Sequence, residues 1–103
     1  PQYVLVDDSV ELGQAWGLHA IHHDVSFECF DSILEARYKL PLYSRATTVY
    51  IDSEFSGQAK GEGYSKQLHK MGFAHLYLST GHAASEFSHC TWLKGIVGKA
   101  PPF

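Results

Sequence analysis

The chain has little of several residue types, and each shortage argues against a class of protein. It has 8 Lys and Arg against 11 Asp and Glu, and no basic stripe, so we expect no nucleic-acid binding by this domain. It has neither an apolar run long enough to span a bilayer nor a signal peptide. We therefore expect no membrane contact and a cytoplasmic location, with Cys29 and Cys90 as reduced thiols rather than a disulfide.

The length of the chain indicates one domain. Its 103 residues, 45% of them hydrophobic, are enough for a modest core, and we assign residues 1–103 to a single domain. Because the sequence starts at Pro1 rather than Met, we expect it to be a piece of a longer protein.

Short apolar runs alternate with segments of helical spacing. Strands are predicted at 3–6, 25–30, 47–51, 76–78 and 95–97, and helices at 9–23, 32–40, around 64–71 and at 84–93. Gly72 stands where a glycine often ends a helix. This alternation is typical of an α/β fold, with a parallel sheet and helices on both of its faces.

Chemically useful side chains follow these strands. They are Asp7 and Asp8, Asp52, Thr80 and Lys99. Ligands of such sheets bind outside the carboxyl ends of the strands, so these residues are expected to converge there. Three carboxylates close together favour a hard cation such as Mg²⁺, and Asp52 would then be a nucleophile for phosphoryl transfer. Lys99 would neutralise charge on the transferred group, and Thr80 would donate a hydrogen bond to it.

Four segments, VLVDDS, VYIDSE, LYLSTGH and VGKAPPF, follow one another in an order that resembles the response-regulator receiver domains of two-component systems. Asp52 comes 44 positions after Asp8, Thr80 comes 28 after Asp52, and Lys99 comes 19 after Thr80. The resemblance implies a flavodoxin-like three-layer sandwich, with a five-stranded parallel sheet in the order 2-1-3-4-5. The C-terminal segment is more similar to receivers attached to (hybrid) sensor histidine kinases than to free-standing regulators.

The resemblance also implies roles for particular residues. Asp52 matches the phosphoacceptor and a Mg²⁺ ligand. Asp8 matches a direct metal ligand, Asp7 a ligand through water, and Glu54 a position whose backbone carbonyl binds the metal. The partner would be a histidine kinase or a histidine phosphotransfer domain, whose phosphohistidine supplies the phosphoryl group.

Further matches lie after the fourth and fifth strands. Thr80 corresponds to the switch hydroxyl, Gly81 to a small residue beside the phosphoryl group, and Lys99 to the lysine of the last strand. Glu54 and His82 stand two positions after the acceptor and the switch residue, where side chains influence the lifetime of the acyl phosphate. If the strand shifted by one residue, Ser79 would supply the hydroxyl instead.

The sequence departs from the receiver pattern in several places. Ala100 separates Lys99 from the proline that usually follows it, Ile96 replaces an aromatic switch residue, and the segment 55–56 replaces a Met-Pro pair. Only residues 100–103 remain for the helix that normally follows the last strand, so we expect this helix to be either cut off or naturally absent. An uncovered sheet face would result, which favours a partner or a homodimer.

These departures leave alternative functions open. The runner-up is a pseudo-receiver that acts as a protein-interaction or dimerisation module without being phosphorylated. A Mg²⁺-dependent aspartyl phosphatase is disfavoured, because Glu54 stands where such enzymes carry an Asp. His19, His22 and His23 have helical spacing, but they fit surface histidines better than a metal site.

Overall fold

The computed structural model describes residues 1–55 and 60–103. Its strands are β1 (Tyr3–Val6), β2 (Phe27–Phe30), β3 (Thr48–Asp52), β4 (Leu76–Ser79) and β5 (Gly95–Val97). The α-helices of the described residues are α1 (Val10–His22), α2 (Ile33–Lys39) and α3 (Gly61–Lys70), with 3₁₀ turns at Leu40–Leu42 and Ala84–Phe87. All strand pairs are parallel, in the order β2-β1-β3-β4-β5, which confirms the predicted flavodoxin-like fold class.

Alternate side chains of the strands form two cores, one on each face of the sheet. Val4, Ile51 and Leu78 point to the face covered by α2 and α3. Leu5 and Tyr50 point to the opposite face, where they contact Trp16 of α1. Because side chains alternate along a strand, residues just beyond the strand ends stay at the rim of the sheet.

Serines begin α1 and α2, and a glycine follows the end of α3, as the sequence predicts for Gly72. The Ser9 Oγ accepts a hydrogen bond from the Leu12 N–H and starts α1. The Ser32 Oγ accepts one from the Glu35 N–H and starts α2. At the end of α3, Gly72 has a φ of +106°, a conformation that a side chain disfavours.

The predicted helix at 84–93 is wrong. Only Ala84–Phe87 forms a 3₁₀ turn, and the residues after it form turns, held for example by the Cys90 N–H on the Phe87 oxygen. This stretch is rich in Ser, His, Cys and Thr, which have poor helix propensity, so the apolar residues Phe87 and Leu93 pack against the core without a regular helix.

After β5, the described residues 98–103 contain no helix, as predicted. Their last residue, Phe103, packs on the α1 face of the sheet. None of the helices in the described ranges is long and apolar enough to cross a membrane. Of the segment 55–56 discussed from the sequence, Ser56 lies outside the described residues.

Candidate functional site

Three carboxylates meet at the carboxyl ends of β1 and β3. Asp7 and Asp8 directly follow β1, and Asp52 is the last residue of β3, the neighbouring strand. One oxygen from each of the three lies within 4.8 Å of the others. Asp7 is buried, with 2% of its surface exposed, and its Oδ1 accepts a hydrogen bond from the Ser9 N–H at 2.9 Å. The start of α1 therefore helps to orient this carboxylate.

Lys99 joins two of these carboxylates. Its Nζ lies 2.8 Å from Asp7 Oδ2 and 2.8 Å from Asp52 Oδ1, and it also donates to the Ser79 carbonyl oxygen at 2.9 Å. The lysine reaches the site although Ala100, not a proline, follows it. Its backbone is held from α1, because the Trp16 Nε1–H donates to the Lys99 carbonyl oxygen at 3.0 Å.

The local charges shift the ionisation of two groups. Burial raises the pKa of the Asp52 carboxyl, the hydrogen bond from Lys99 opposes the rise, and the nearby charge of Asp7 adds to it. Burial by itself would lower the pKa of the Lys99 ammonium, but its hydrogen bonds to Asp52 and Asp7 raise it above its usual value. Lys99 is therefore charged at neutral pH, whereas burial disfavours the ionised form of Asp52.

The hydroxyl that faces the carboxylates beyond the end of β4 is that of Thr80. Ser79 is the last residue of the strand, and its Oγ donates to the Gly98 carbonyl oxygen at 2.9 Å. Thr80 follows it, lines the depression above the carboxylates, and has its Oγ1 2.8 Å from the Ser53 Oγ. The strand is therefore not shifted by one residue. At Gly81, an added Cβ would meet no atom within 4 Å, so the rim is open there.

Glu54 and His82 come together at the same rim. The His82 Nε2 lies 2.9 Å from Glu54 Oε1, and its Nδ1 lies 3.5 Å from Glu86 Oε2. The His82 backbone N–H donates to the Thr80 Oγ1 at 3.1 Å. All the predicted site residues thus line one depression: Asp7, Asp8, Asp52, Glu54, Thr80, Gly81, His82 and Lys99.

Sequence reasoning missed two supporting residues. Ser53 is buried and bonds the Thr80 hydroxyl, whereas its sequence position after Asp52 carries no signal of that contact. The sequence predicted no role for Trp16 in the site, yet its indole N–H donates to the backbone carbonyl oxygen of Lys99. A buried tryptophan N–H normally needs an acceptor, and that requirement was the available signal.

The carboxylates fit a Mg²⁺ ion. Mg²⁺ prefers hard oxygen ligands, and Asp7, Asp8 and Asp52 supply carboxylate oxygens close enough to share one ion. The histidines of α1 belong to neither of the two potential metal-binding groups found among residues 1–55 and 60–103. His19 and His23 instead have stacked rings with centroids 6.3 Å apart.

Comparison with known proteins bears on the fold. No model of a known protein family matches the chain, and no curated protein sequence does. The chain is similar to the crystal structure of a response regulator receiver protein from Sinorhizobium medicae WSM419, with a TM-score of 0.78 and 19% sequence identity. The similarity covers 98% of this chain and 82% of that one. The chain therefore has the fold of a response-regulator receiver domain.

Proposed function

We propose that this chain is a phosphoacceptor receiver domain, in which Asp52 takes a phosphoryl group from a phosphohistidine of a histidine kinase or a phosphotransfer domain. The convergence of Asp7, Asp8 and Asp52 with the Lys99 ammonium at one end of the sheet carries this proposal. Attachment to a sensor histidine kinase and a cytoplasmic location stay predictions.

The metal in this proposal is Mg²⁺. The side chains of Asp7, Asp8 and Asp52 and the backbone carbonyl of Glu54 would hold it, with Asp7 acting through water. The ion supplies positive charge that offsets the charge of the phosphoryl oxygens and of the crowded carboxylates.

The chain's own residues account for the transfer. An Asp52 carboxylate oxygen attacks the phosphorus, a P–O bond forms, and the P–N bond to the donor imidazole breaks. Lys99 already contacts Asp52 at 2.8 Å and neutralises negative charge beside the transferred group. The Thr80 hydroxyl would leave Ser53 and donate to a phosphoryl oxygen, which couples the acceptor to the loop after β4.

The contact between Glu54 and His82 would influence hydrolysis of the acyl phosphate. The two side chains flank Asp52 and contact each other at 2.9 Å. They therefore stand where they would hinder or orient an attacking water. Substituting both residues should change the dephosphorylation rate, and an unchanged rate would remove this part of the proposal.

Phosphorylation by a small donor tests the proposal directly. With acetyl phosphate and Mg²⁺, intact-mass spectrometry should show one added phosphoryl group, which hydroxylamine removes because it is an acyl phosphate. The modification should disappear in Asp52→Asn and when EDTA removes the metal, and it should persist in Asp31→Asn, whose residue is exposed outside the site.

Beryllofluoride, a phosphoryl mimic, provides a second measurement. With Mg²⁺ it should shift the NMR signals of Asp52, Thr80 and Lys99. If neither phosphorylation nor these shifts occur in the folded protein, the chain is instead a pseudo-receiver that acts as an interaction module. Turnover of small phosphate esters would favour a phosphatase.

A further inference from the structure

A second group of metal-binding side chains lies where α3 meets the turns after Phe87. Glu62 is in the first turn of α3, and His89 and Cys90 follow the 3₁₀ turn. The His89 Nε2 is 3.0 Å from Glu62 Oε2, and the Cys90 Sγ is 3.8 Å from the same oxygen. The three potential ligand atoms all lie within 4.8 Å of one another.

The chemistry of this group differs from that of the acidic site. Imidazole, thiolate and carboxylate together suit Zn²⁺, whereas Mg²⁺ prefers oxygen ligands alone. Tetrahedral coordination with bonds of about 2.0–2.3 Å places ligand atoms roughly 3.3–3.8 Å apart. The contacts that Glu62 makes with His89 and Cys90 are close to these separations, and the remaining pair of ligand atoms lies within 4.8 Å.

We propose that Glu62, His89 and Cys90 bind one zinc-class divalent ion, with water as the fourth ligand. On binding, the Cys90 thiol releases its proton to solvent, and the neutral His89 ring carries its proton on Nδ1 so that Nε2 is free to bind the ion. A Glu62 oxygen completes the protein ligands. The site is separate from the proposed phosphoacceptor chemistry and does not depend on it.

The surrounding structure holds these ligands in place and leaves a route to solvent. The Trp92 Nε1–H donates to the Ser65 Oγ at 2.8 Å, which fastens the turns to α3 beside the group. Cys90 is 6% exposed, but the His89 side chain is 63% exposed. An ion can therefore enter past the histidine and reach a thiolate that is shielded from bulk water.

A bound ion would link α3 to the segment that the sequence incorrectly predicts as helix. In its absence, the same atoms are joined only by hydrogen bonds from His89 and Cys90 to the Glu62 carboxylate. A metal link should therefore raise the melting temperature of the chain, because the ion binds the folded state and not the separated ligands.

Cobalt titration of the 103-residue chain, under reducing conditions, tests the site. With excess Mg²⁺ present to fill the proposed acidic site, one equivalent of Co²⁺ should produce a thiolate-to-cobalt charge-transfer band together with the visible bands of tetrahedral cobalt. Zn²⁺ should displace it, and excess Mg²⁺ should not. Cys90→Ser should abolish the charge-transfer band, and His89→Gln should weaken binding by about tenfold or more.

Matched controls use residues of the same kinds elsewhere in the chain. Cys29→Ser, His69→Gln and Asp52→Asn should each retain the cobalt spectrum. Circular dichroism checks folding, and His89→Gln changes an exposed side chain, so it provides a test even if Cys90→Ser unfolds. Absence of the bands in the folded wild type overturns the proposal. So do bands that survive both site variants, or that disappear in Cys29→Ser or His69→Gln.

Discussion

Lys99 is the residue on which the charge balance of the rim depends most clearly. Its ammonium contacts Asp7, a carboxylate with almost no exposed surface, and Asp52 at the end of β3. A buried carboxylate that loses its partner is strongly destabilising, whereas an exposed ion pair contributes little. The Lys99 side chain is 38% exposed, so its contribution should lie between these limits.

Replacing Lys99 by methionine should therefore lower the free energy of unfolding by about 2 kcal/mol. The aliphatic length is kept, while Asp7 and Asp52 lose their shared ammonium. Urea denaturation at neutral pH, without divalent cations, measures the effect. Lys94→Met, at an exposed position next to β5, should change stability by less than about 0.5 kcal/mol. Equal effects of the two substitutions would contradict this account.

Asp52 should make folding stability fall as the pH rises. Burial raises the pKa of its carboxyl above the ordinary value of 3.8, so the folded state binds this proton more tightly than the unfolded chain. Stability is therefore lost between the unfolded pKa and the raised folded pKa, and the loss persists at neutral pH.

In the absence of metal, Asp52→Asn should consequently be more stable than the wild type at neutral pH. The difference should shrink as the pH is lowered towards the ordinary aspartate pKa. Thermal unfolding across this range, in buffers containing EDTA, gives the comparison. A difference that does not vary with pH would show that ionisation of Asp52 is not its cause.

At the scale of secondary-structure elements, the approach of α3 to β3 depends on Gly61. An added Cβ at this position would lie 1.6 Å from the Asp52 carbonyl oxygen and 2.7 Å from its carbonyl carbon. Both are backbone atoms of the strand that carries the acceptor, so they cannot move aside as a flexible side chain would. The first turn of α3 must therefore begin with a residue that lacks a side chain.

Gly61→Ala should destabilise the fold by about 3 kcal/mol or more, because the overlap forces α3 away from β3. Gly63→Ala is a matched control in the same helix, since its added Cβ would meet no atom within 4 Å. That substitution should instead stabilise the fold by about 0.5–1 kcal/mol through helix propensity. Both effects can be measured by urea denaturation, and destabilisation by both substitutions would contradict the steric argument.

At the scale of the whole molecule, the two faces of the sheet are covered unequally. Two helices cover one face, while α1 covers only part of the other. Beside α1, the ring centroid of Phe103 lies 5.0 Å from that of Tyr3, with the two rings tilted. The Phe103 ring also packs edge-on against Trp16 and Phe27. Phe103 thus covers part of the sheet face that was predicted to be uncovered. The predicted homodimer stays a prediction.

Phe103→Ala should lower the free energy of unfolding by about 1–2 kcal/mol. This is less than for a fully buried phenylalanine, because Phe103 is only half-buried. Tyr38→Ala, an aromatic truncation at a position 74% exposed, should have little effect. Thermal unfolding compares the two, and light scattering of Phe103→Ala reports whether exposing this face promotes association.

The sequence by itself determined the sheet and which side chains lie at its rim. Parallel strands must be connected by crossovers, so apolar runs that alternate with helical spacing specify this architecture, and strand-end residues such as Asp7, Asp52 and Thr80 must then meet at one edge. The convergence of these side chains could be predicted because the strands fix their positions. Lys99 reached the site although the usual proline is absent, because a distant tryptophan holds its backbone.

Only the tertiary structure decided the irregular parts. Helical spacing from Ala84 to Leu93 did not produce a helix. Helix propensity is weak in this stretch, and the contacts of Cys90 and Trp92 with α3 stabilise turns instead. The contact between Ser53 and Thr80 likewise joins residues 27 positions apart. Local sequence cannot specify such contacts, since they depend on how the elements pack once the sheet has formed.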